Sequence, residues 1–318
     1  MSVQAQRPKN LMLHLIKEYQ TKYKDALNGR LRCGKKKRQG SLEDAITCIK
    51  SEILNEALQY DFGQNVKLAD EYVNEVAEGL TQAGLDVIDV RAKLSTRLLS
   101  GAAADFLKVI FEVGMHWDQV LDLPYVPGSS IKGVMRSSLL DLCLERYHAQ
   151  SDSLAKCVNA VLSLFGSGEK FFEADFFKLK DFKVSPRVGS LVVSNAYPVA
   201  LQDGRLLEGD IINPHYYRNN DVVKNEYLVM PNPVVHLAVR GGTTFRFVIG
   251  VEDLKNADEL ANVIFNRSVR SSVELALLSL AYALGQGVGA RTSKGYGVFN
   301  IEGVNDIVIR MTSLGSRR

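Results

Sequence analysis

The sequence predicts an α+β protein: a basic, mainly helical N-terminal segment (residues 1–86), then a βαββαβ domain with inserted loops (residues 87–318). Apolar residues recur at helical spacing before residue 80, and they alternate with polar residues from Ile88 onward. Apolar residues make up 46% of the chain and charged residues 24%, a globular composition that excludes a disordered chain, a collagen or a coiled-coil rod.

Helices are predicted in the N-terminal segment because apolar residues share one face at four-residue spacing. Leu11, Leu15 and Tyr19 form one such face, and Ile49 and Ile53 belong to a second. A loop rich in glycine and basic residues lies between these two stretches.

The charges of the chain are unevenly distributed. Residues 1–40 hold eleven Lys or Arg and two acids, a balance of +9, whereas the remaining 28 basic and 34 acidic side chains give −6. A protein with this asymmetry can bind a polyanion even though its net charge is only +3. The run Lys35–Arg38 fits either a nucleic-acid contact or, more commonly, a solvated loop.

A half-buried strand is predicted from Ile88 to Ser95, where apolar and polar residues alternate. Its polar face carries Arg91 and Lys93, and Arg97 follows the strand. Three cations on one face fit an RNA-binding surface or an ordinary solvated face, and the strand alone does not decide between them.

The elements after this strand predict the topology. They are a helix at 131–147, a strand at 191–197, a hairpin of 234–240 and 243–251 around Gly241-Gly242, a buried helix at 273–284, and strands at 296–301 and 307–311. The order strand, helix, strand, strand pair, helix, strand is that of the ferredoxin-like fold, which the RNA-recognition module shares.

A first candidate site is the segment Leu123–Arg136, where a Pro-Gly turn precedes a helix. Ser129 or Ser130 is predicted to cap this helix, and the N–H groups of its first turn suit a phosphate. Lys132 and Arg136, four residues apart, extend the positive field. The alternative is a plain capped helix.

A second candidate site is Gly285–Gly297, in which five of thirteen residues are glycine. Its start matches the dinucleotide-binding pattern G-x-G-x-x-A, but that site needs a strand before it and a helix after it, the reverse of the order here. A flexible loop with Gly287, Gly289, Arg291 and Lys294 better suits the irregular backbone of a polyanion, bound by free N–H groups and two cations.

The five histidines are scattered, and no pair suited to acid–base cleavage of RNA is visible. His215 lies beside tyrosines and Arg218, so this segment fits RNA stacking and an ion pair, or equally a small packed cluster.

Other kinds of site lack their signals. The four cysteines form no Cys-x-x-Cys pair, so we expect free buried thiols in a reducing cytoplasm, with no metal site and no disulfide framework. No nucleotide motif indicates a cofactor. The apolar runs are shorter than the about 20 residues of a membrane span, and residues 1–10 lack the apolar core of a signal peptide. We expect a cytoplasmic protein without cofactor, metal or membrane contact.

Read together, the Pro-Gly-Ser-Ser-Ile-Lys-Gly segment and the Gly-Val-Gly-Ala-Arg-Thr-Ser-Lys-Gly-Tyr-Gly loop resemble the RAMP superfamily of CRISPR proteins. Residues 98–101, 164–166 and 189–196 are similar to further blocks of that superfamily. Residues 210–216 and 231–234 most resemble the family of sixth subunits of the Cmr complex, the type III-B effector. The resemblance spans roughly residues 88–302.

The resemblance implies a non-catalytic RNA-binding subunit of an RNA-guided antiviral ribonucleoprotein. Such a subunit caps the backbone near the 3′ end of the guide RNA, contacts guide and target RNA, and adjoins the repeating backbone subunit and another RAMP subunit. In the family the backbone subunit cleaves the target with an aspartate after its first strand. None of the comparable acids here aligns with it, and we expect solvated loop acids at Asp105, Asp118, Asp122 and Asp210.

The alternative function is a metal-independent endoribonuclease of the same superfamily that processes guide RNA. It requires His215 or His116 to have a Tyr or Lys partner within reach.

Overall fold

A computed structural model describes residues 10–30, 41–103, 107–148, 150–168, 182, 184–212, 217–218, 221–222, 233–300 and 307–312. Its helices are α1 (Leu11–Leu27), α2 (Leu42–Gln59), α3 (Gly63–Gln82), α4 (Lys108–Phe111), α5 (Gly128–Tyr147), α6 (Ser151–Phe165), α7 (Ala257–Phe265) and α8 (Ser272–Leu284). Within the described ranges, no helix combines the length and the apolar character that crossing a membrane requires.

The main sheet is built from five strands, with short strand pairs around it. The strands are β1 (Asp86–Lys93), β2 (Trp117–Asp118), β3 (Leu123–Pro124), β4 (Gly166–Ser167), β5 (Arg187–Val188), β6 (Leu191–Val193), β7 (Tyr197–Ala200), β8 (Leu207–Ile212), β9 (Tyr217–Arg218), β10 (Asp221–Val222), β11 (Val234–Val239), β12 (Thr244–Val251) and β13 (Ile307–Thr312).

In the main sheet β1 lies between β13 and β12, and β6 and β7 pair with the other edge of β12. All of these pairs are antiparallel. Helices α5 and α6 lie in the chain between β1 and β6, and α7 and α8 lie between β12 and β13. A second, two-stranded sheet pairs β8 with β11.

The predicted helices of the N-terminal segment are confirmed. Leu11, Leu15, Ile49 and Ile53 are each at most 1% exposed and belong to the same apolar core as the main sheet. Ser41 and Asp44 start α2 with a reciprocal capping box, which satisfies two backbone N–H groups that the helix itself cannot pair. The Lys35–Arg38 loop lies outside the described residues.

Helix α3 covers one face of the main sheet, so the polar face of β1 is not open along its length. Arg246 of β12 is 3% exposed beneath α3 and binds Asp89 of β1 and Asp70 of α3. Arg91, predicted as a surface cation, pairs with the same Asp70 at 2.7 Å. Lys93, at the end of the strand, is exposed.

The predicted hairpin around Gly241-Gly242 is wrong, because its two strands enter different sheets. β11 pairs with β8, whereas β12 pairs with β1. The turn is pinned to the end of β1, since Gly242 N donates to Leu94 O at 2.6 Å and Leu94 N donates to Thr243 O at 2.9 Å. The predicted strand at 296–301 is reduced, within its described part, to one bridge between Phe299 and Leu94.

Two acids predicted to be solvated are structural, and that prediction is wrong for them. Asp122 is 2% exposed and accepts hydrogen bonds from Leu11 N (2.6 Å), at the start of α1, and from Trp117 Nε1 (2.9 Å). The carboxylate thus satisfies a backbone N–H at the positive end of that helix. Asp118 accepts a hydrogen bond from the Tyr197 hydroxyl at 2.7 Å. Asp105 lies outside the described residues.

The expected free thiols are corrected at Cys143 and Cys157, which form a disulfide between α5 and α6. Both residues are fully buried. The two helices pack against each other after a short connection, so cysteines 14 positions apart face one another although they form no recognisable sequence motif.

Candidate nucleic-acid interface

A cleft of about 800 Å³ opens where the end of β1, the turn between β11 and β12, and residues 285–297 meet. We call it the basic cleft, and residues 285–297 the glycine-rich loop. Four cations and one acid line it, beside the ring of Tyr296: they are Lys93, Arg97, Arg240, Lys294 and Glu208. Lys93 and Lys294 are exposed, and Arg240 is half-buried. Arg240 also pairs with the exposed Asp203, whose Oδ2 lies 3.4 Å from its Nη2. The lining of the cleft still carries an excess of positive charge.

The glycine-rich loop is held against the chain that follows β1. Gly297 N donates to Arg97 O at 2.8 Å, and Ala290 N donates to Leu99 O at 2.7 Å. A Cβ on Gly289, whose φ is +98°, would lie 2.6 Å from Leu99 O, so this close approach requires glycine. These N–H groups, expected to be free for RNA, fix the loop instead, and Lys294 projects from it into the cleft.

Arg97 is held at the cleft by two acids of β8. Its Nη1 lies 2.6 Å from Asp210 Oδ1, and its Nε lies 3.1 Å from Glu208 Oε1. The Tyr296 hydroxyl donates to the other oxygen of Asp210. Burial alone would raise the pKa of Asp210, but the hydrogen bonds from Tyr296 and Arg97 outweigh burial and keep that pKa below its usual value. Asp210 is thus a half-buried, ionised acid and not the solvated one expected.

Three buried polar atoms behind this cluster have no hydrogen-bond partner among the described residues: Nδ1 and Nε2 of His236, and Nη1 of Arg291. His236 lies opposite Asp210 in the β8–β11 register. Burial lowers the pKa of His236, against the opposing attraction of Asp210, so the ring is neutral at pH 7. The Arg291 guanidinium stacks 5.0 Å from the Tyr296 ring centroid.

The first candidate segment, Leu123–Arg136, lies apart from the basic cleft and packs against β6. Helix α5 begins after Pro127 without a side-chain cap, so the predicted capping by Ser129 or Ser130 is wrong. Gly128 N instead donates to Asn195 Oδ1 at 3.0 Å. A Cβ on Gly128 would collide with backbone carbonyl oxygens of residues 193 and 194, which explains the glycine.

The cations of this segment are only partly exposed. Lys132 Nζ donates to Leu191 O at 2.7 Å, and burial lowers the pKa of this lysine. Ser129 is exposed, and Ser130 and Arg136 are half-buried.

The structure thus brings Lys93, Arg97 and Lys294 together, with Arg291 behind them, but does not add Arg91, Lys132 or Arg136 to the lining of the cleft. His215 and the side chain of Arg218 lie outside the described residues. Sequence reasoning missed Arg240, and its only signal was a cation directly before the Gly241-Gly242 turn.

The alternative function, an endoribonuclease, requires a Tyr or Lys partner within reach of His116 or His215. His116 Nδ1 lies 3.1 Å from Ser100 Oγ, and the His116 ring packs 5.6 Å from that of Tyr125. Burial lowers the pKa of His116. Tyr125 therefore contacts His116 through its ring, whereas the described hydrogen-bond partner of the imidazole is Ser100. Among the described residues, no group of three or more His, Cys, Asp or Glu is placed to hold a metal ion.

The family model of the RAMP superfamily matches residues 91–300, and the chain belongs to that superfamily. The "CRISPR system CMR subunit Cmr6" of Saccharolobus solfataricus is 25% identical over 272 residues, which cover 86% of this chain and 78% of that protein. Cmr6 of Pyrococcus furiosus is 28% identical over 248 residues, 67% of each chain.

A solved structure shares the fold. A chain of the type III-B Cmr-beta complex, determined by cryo-electron microscopy bound to cognate target RNA, superposes with a TM-score of 0.63 at 23% identity. The match covers 96% of this chain and 93% of that one. The expected resemblance to the Cmr6 family of RAMP proteins is confirmed.

Proposed function

We propose that this protein is a non-catalytic, RNA-binding subunit of a type III-B CRISPR effector complex and that it binds guide RNA in the basic cleft. The observation that carries the proposal is the convergence of Lys93, Arg240 and Lys294 on one cleft beside an aromatic ring. Cations that converge on a groove neutralise phosphates, and this electrostatic contribution dominates the affinity of proteins for nucleic acids.

The topology supports the same reading. The sheet order β13, β1, β12, β6, with helices after the first and third of the four core strands, fits a ferredoxin-like βαββαβ core. The Cmr6 relatives support a place in the Cmr complex. There we propose that the chain caps the backbone near the 3′ end of the guide RNA, next to the backbone subunit and a second RAMP subunit, with the target RNA nearby.

The decisive experiment replaces Lys93, Arg240 and Lys294 together by alanine and measures RNA binding across salt concentrations. Each phosphate contact with single-stranded RNA contributes about 0.7 to the slope of log K against log salt, so three lost contacts lower it by about 2. The matched control removes the same charge from three exposed lysines outside the cleft: Lys67, Lys108 and Lys255. Equal losses in both triple variants would show that the cleft has no special role.

The non-catalytic part has its own test. Labelled guide and target RNA incubated with the purified chain, with and without Mg²⁺, should stay intact. Cleavage that disappears in His116→Ala would instead support the guide-processing endoribonuclease, since His116 has a tyrosine neighbour.

A further inference from the structure

Asp210 lies behind the basic cleft, where its negative charge by itself opposes the binding of a polyanion. We propose that Asp210 is a positioning residue for RNA binding: its carboxylate holds Arg97 and Tyr296 so that the glycine-rich loop presents Lys294 to a phosphate. This inference rests on the proposed RNA-binding function of the basic cleft.

The contacts of Asp210 join three separate parts of the chain. It belongs to β8, accepts from Arg97 after β1, and accepts from the hydroxyl of Tyr296 in the glycine-rich loop. Its side chain is 12% exposed, and Ile211 N donates a further hydrogen bond at 2.8 Å. These donors fix the direction of the carboxylate.

Two guanidinium groups lie beside one ring, and without the carboxylate of Asp210 their repulsion would be less compensated. Arg97 and Arg291 lie 5.9 and 5.0 Å from the Tyr296 ring centroid, and both carry a permanent charge. Glu208 would then be the one acid with a described ion pair to Arg97. The repulsion and the lost hydroxyl partner would displace Tyr296, and Lys294 lies two residues before it.

His236 does not take over the role of counter-charge. It lies opposite Asp210 with its ring fully buried, and its nearest ring nitrogen is 3.9 Å from the carboxylate. At that distance it makes no hydrogen bond, so among the described residues Arg97 and Tyr296 remain the side-chain donors to Asp210.

The test is the sign of the change in RNA affinity. Asp210→Asn removes a negative charge from beside the cleft, which by electrostatics alone strengthens RNA binding. The positioning role predicts the opposite: about tenfold weaker binding, as expected for loss of a charge-assisted hydrogen bond, and a salt slope lower by about 0.7 because one phosphate contact is lost. A merely structural role would lower the active fraction without changing the slope.

Glu208→Gln is the matched control, because it removes the same charge from the same strand and the same partner. Glu208 is more exposed than Asp210 and has no described bond to Tyr296, so loss of its negative charge from the cleft should strengthen RNA binding, the opposite sign to that expected for Asp210→Asn. Tyr296→Phe removes only the hydroxyl donor and should reproduce the weaker binding in a protein that still unfolds cooperatively. It is the deciding variant if Asp210→Asn fails to fold.

The inference is overturned if a folded Asp210→Asn, or Tyr296→Phe, binds RNA as well as the parent. If the parent itself does not bind RNA in a salt-dependent manner, the proposed function fails first, and the two failures are therefore distinguishable.

Discussion

Replacing Arg246 by methionine should destabilise the protein strongly. Its guanidinium is buried between β12, β1 and α3, and it donates to Asp89 at 2.9 and 2.5 Å, to Asp70 at 2.6 Å and to Asn74 at 2.7 Å. Asp70 keeps a second partner in Arg91. Asp89, which is 9% exposed, has no second cation among its described ion pairs and becomes a buried, unpaired charge.

The magnitude follows from that unpaired acid. Removing one partner of a buried ion pair costs about 3–5 kcal/mol of the free energy of unfolding. Replacing the pair as a whole by apolar residues is close to neutral, so Arg246→Met with Asp89→Leu should recover much of the loss. Arg91→Ala is the control: its side chain is 29% exposed and binds one acid, so its loss costs at most about 1 kcal/mol.

Urea unfolding followed by circular dichroism measures all three variants against the parent. The reasoning is refuted if Arg246→Met is no less stable than Arg91→Ala, or if the double variant is as unstable as the single one.

Two further predictions concern buried groups. Removing the disulfide by Cys143→Ala with Cys157→Ala should lower the free energy of unfolding by about 3 kcal/mol, since the bridge closes a loop between residues 14 positions apart, and urea unfolding measures this. The stability of the parent should fall as pH drops below 6.5, because burial lowers the pKa of His236 in the folded state and the unfolded chain then binds the proton more readily; His236→Phe should flatten this fall in denaturation at pH 5 and pH 8.

Each of these two has a control and a contrary outcome. A reductant should destabilise the parent more than the variant without the bridge, and equal unfolding free energies with and without the bridge would contradict the first prediction. For the second, His148→Ala changes an exposed histidine and should keep the pH dependence of the parent. The histidine argument is wrong if His236→Phe loses as much stability at pH 5 as the parent does.

Sequence periodicity predicted which residues are buried but not which element covers them. The alternation from Ile88 correctly placed β1, and the four-residue spacing of Leu11 and Leu15 correctly placed α1. No local pattern indicates that α3 lies on the polar face of β1, because that packing depends on the Arg246 contacts between distant segments. For the same reason, the burial of Asp122 beneath α1 could not be predicted.

The sequence predicted the cations of the candidate site that lie at the end of a strand or in a glycine-rich loop. It did not predict the features that depend on contacts between distant parts of the chain. Lys93, Arg97 and Lys294 were found because they lie at a strand end and in a glycine-rich loop. The Gly241-Gly242 pair correctly indicated a turn but not that its strands separate, since the hydrogen bonds to Leu94 that divide them come from a strand about 150 residues earlier. Lys132 shows the reverse case, in which a local motif predicted phosphate binding but the amine donates to a backbone carbonyl.

The position of α3 decides how the gene can be shortened. The match to the superfamily model begins at residue 91. A chain that starts there would nevertheless lose α3, the helix that covers Arg246, and with it the carboxylate of Asp70 that this arginine binds. It would also lose Asp89, because β1 begins at Asp86. Such a fragment would carry an unpaired arginine on an uncovered sheet and should accumulate as insoluble aggregate. The superfamily match and the folding unit therefore begin at different residues, and truncation should respect the folding unit.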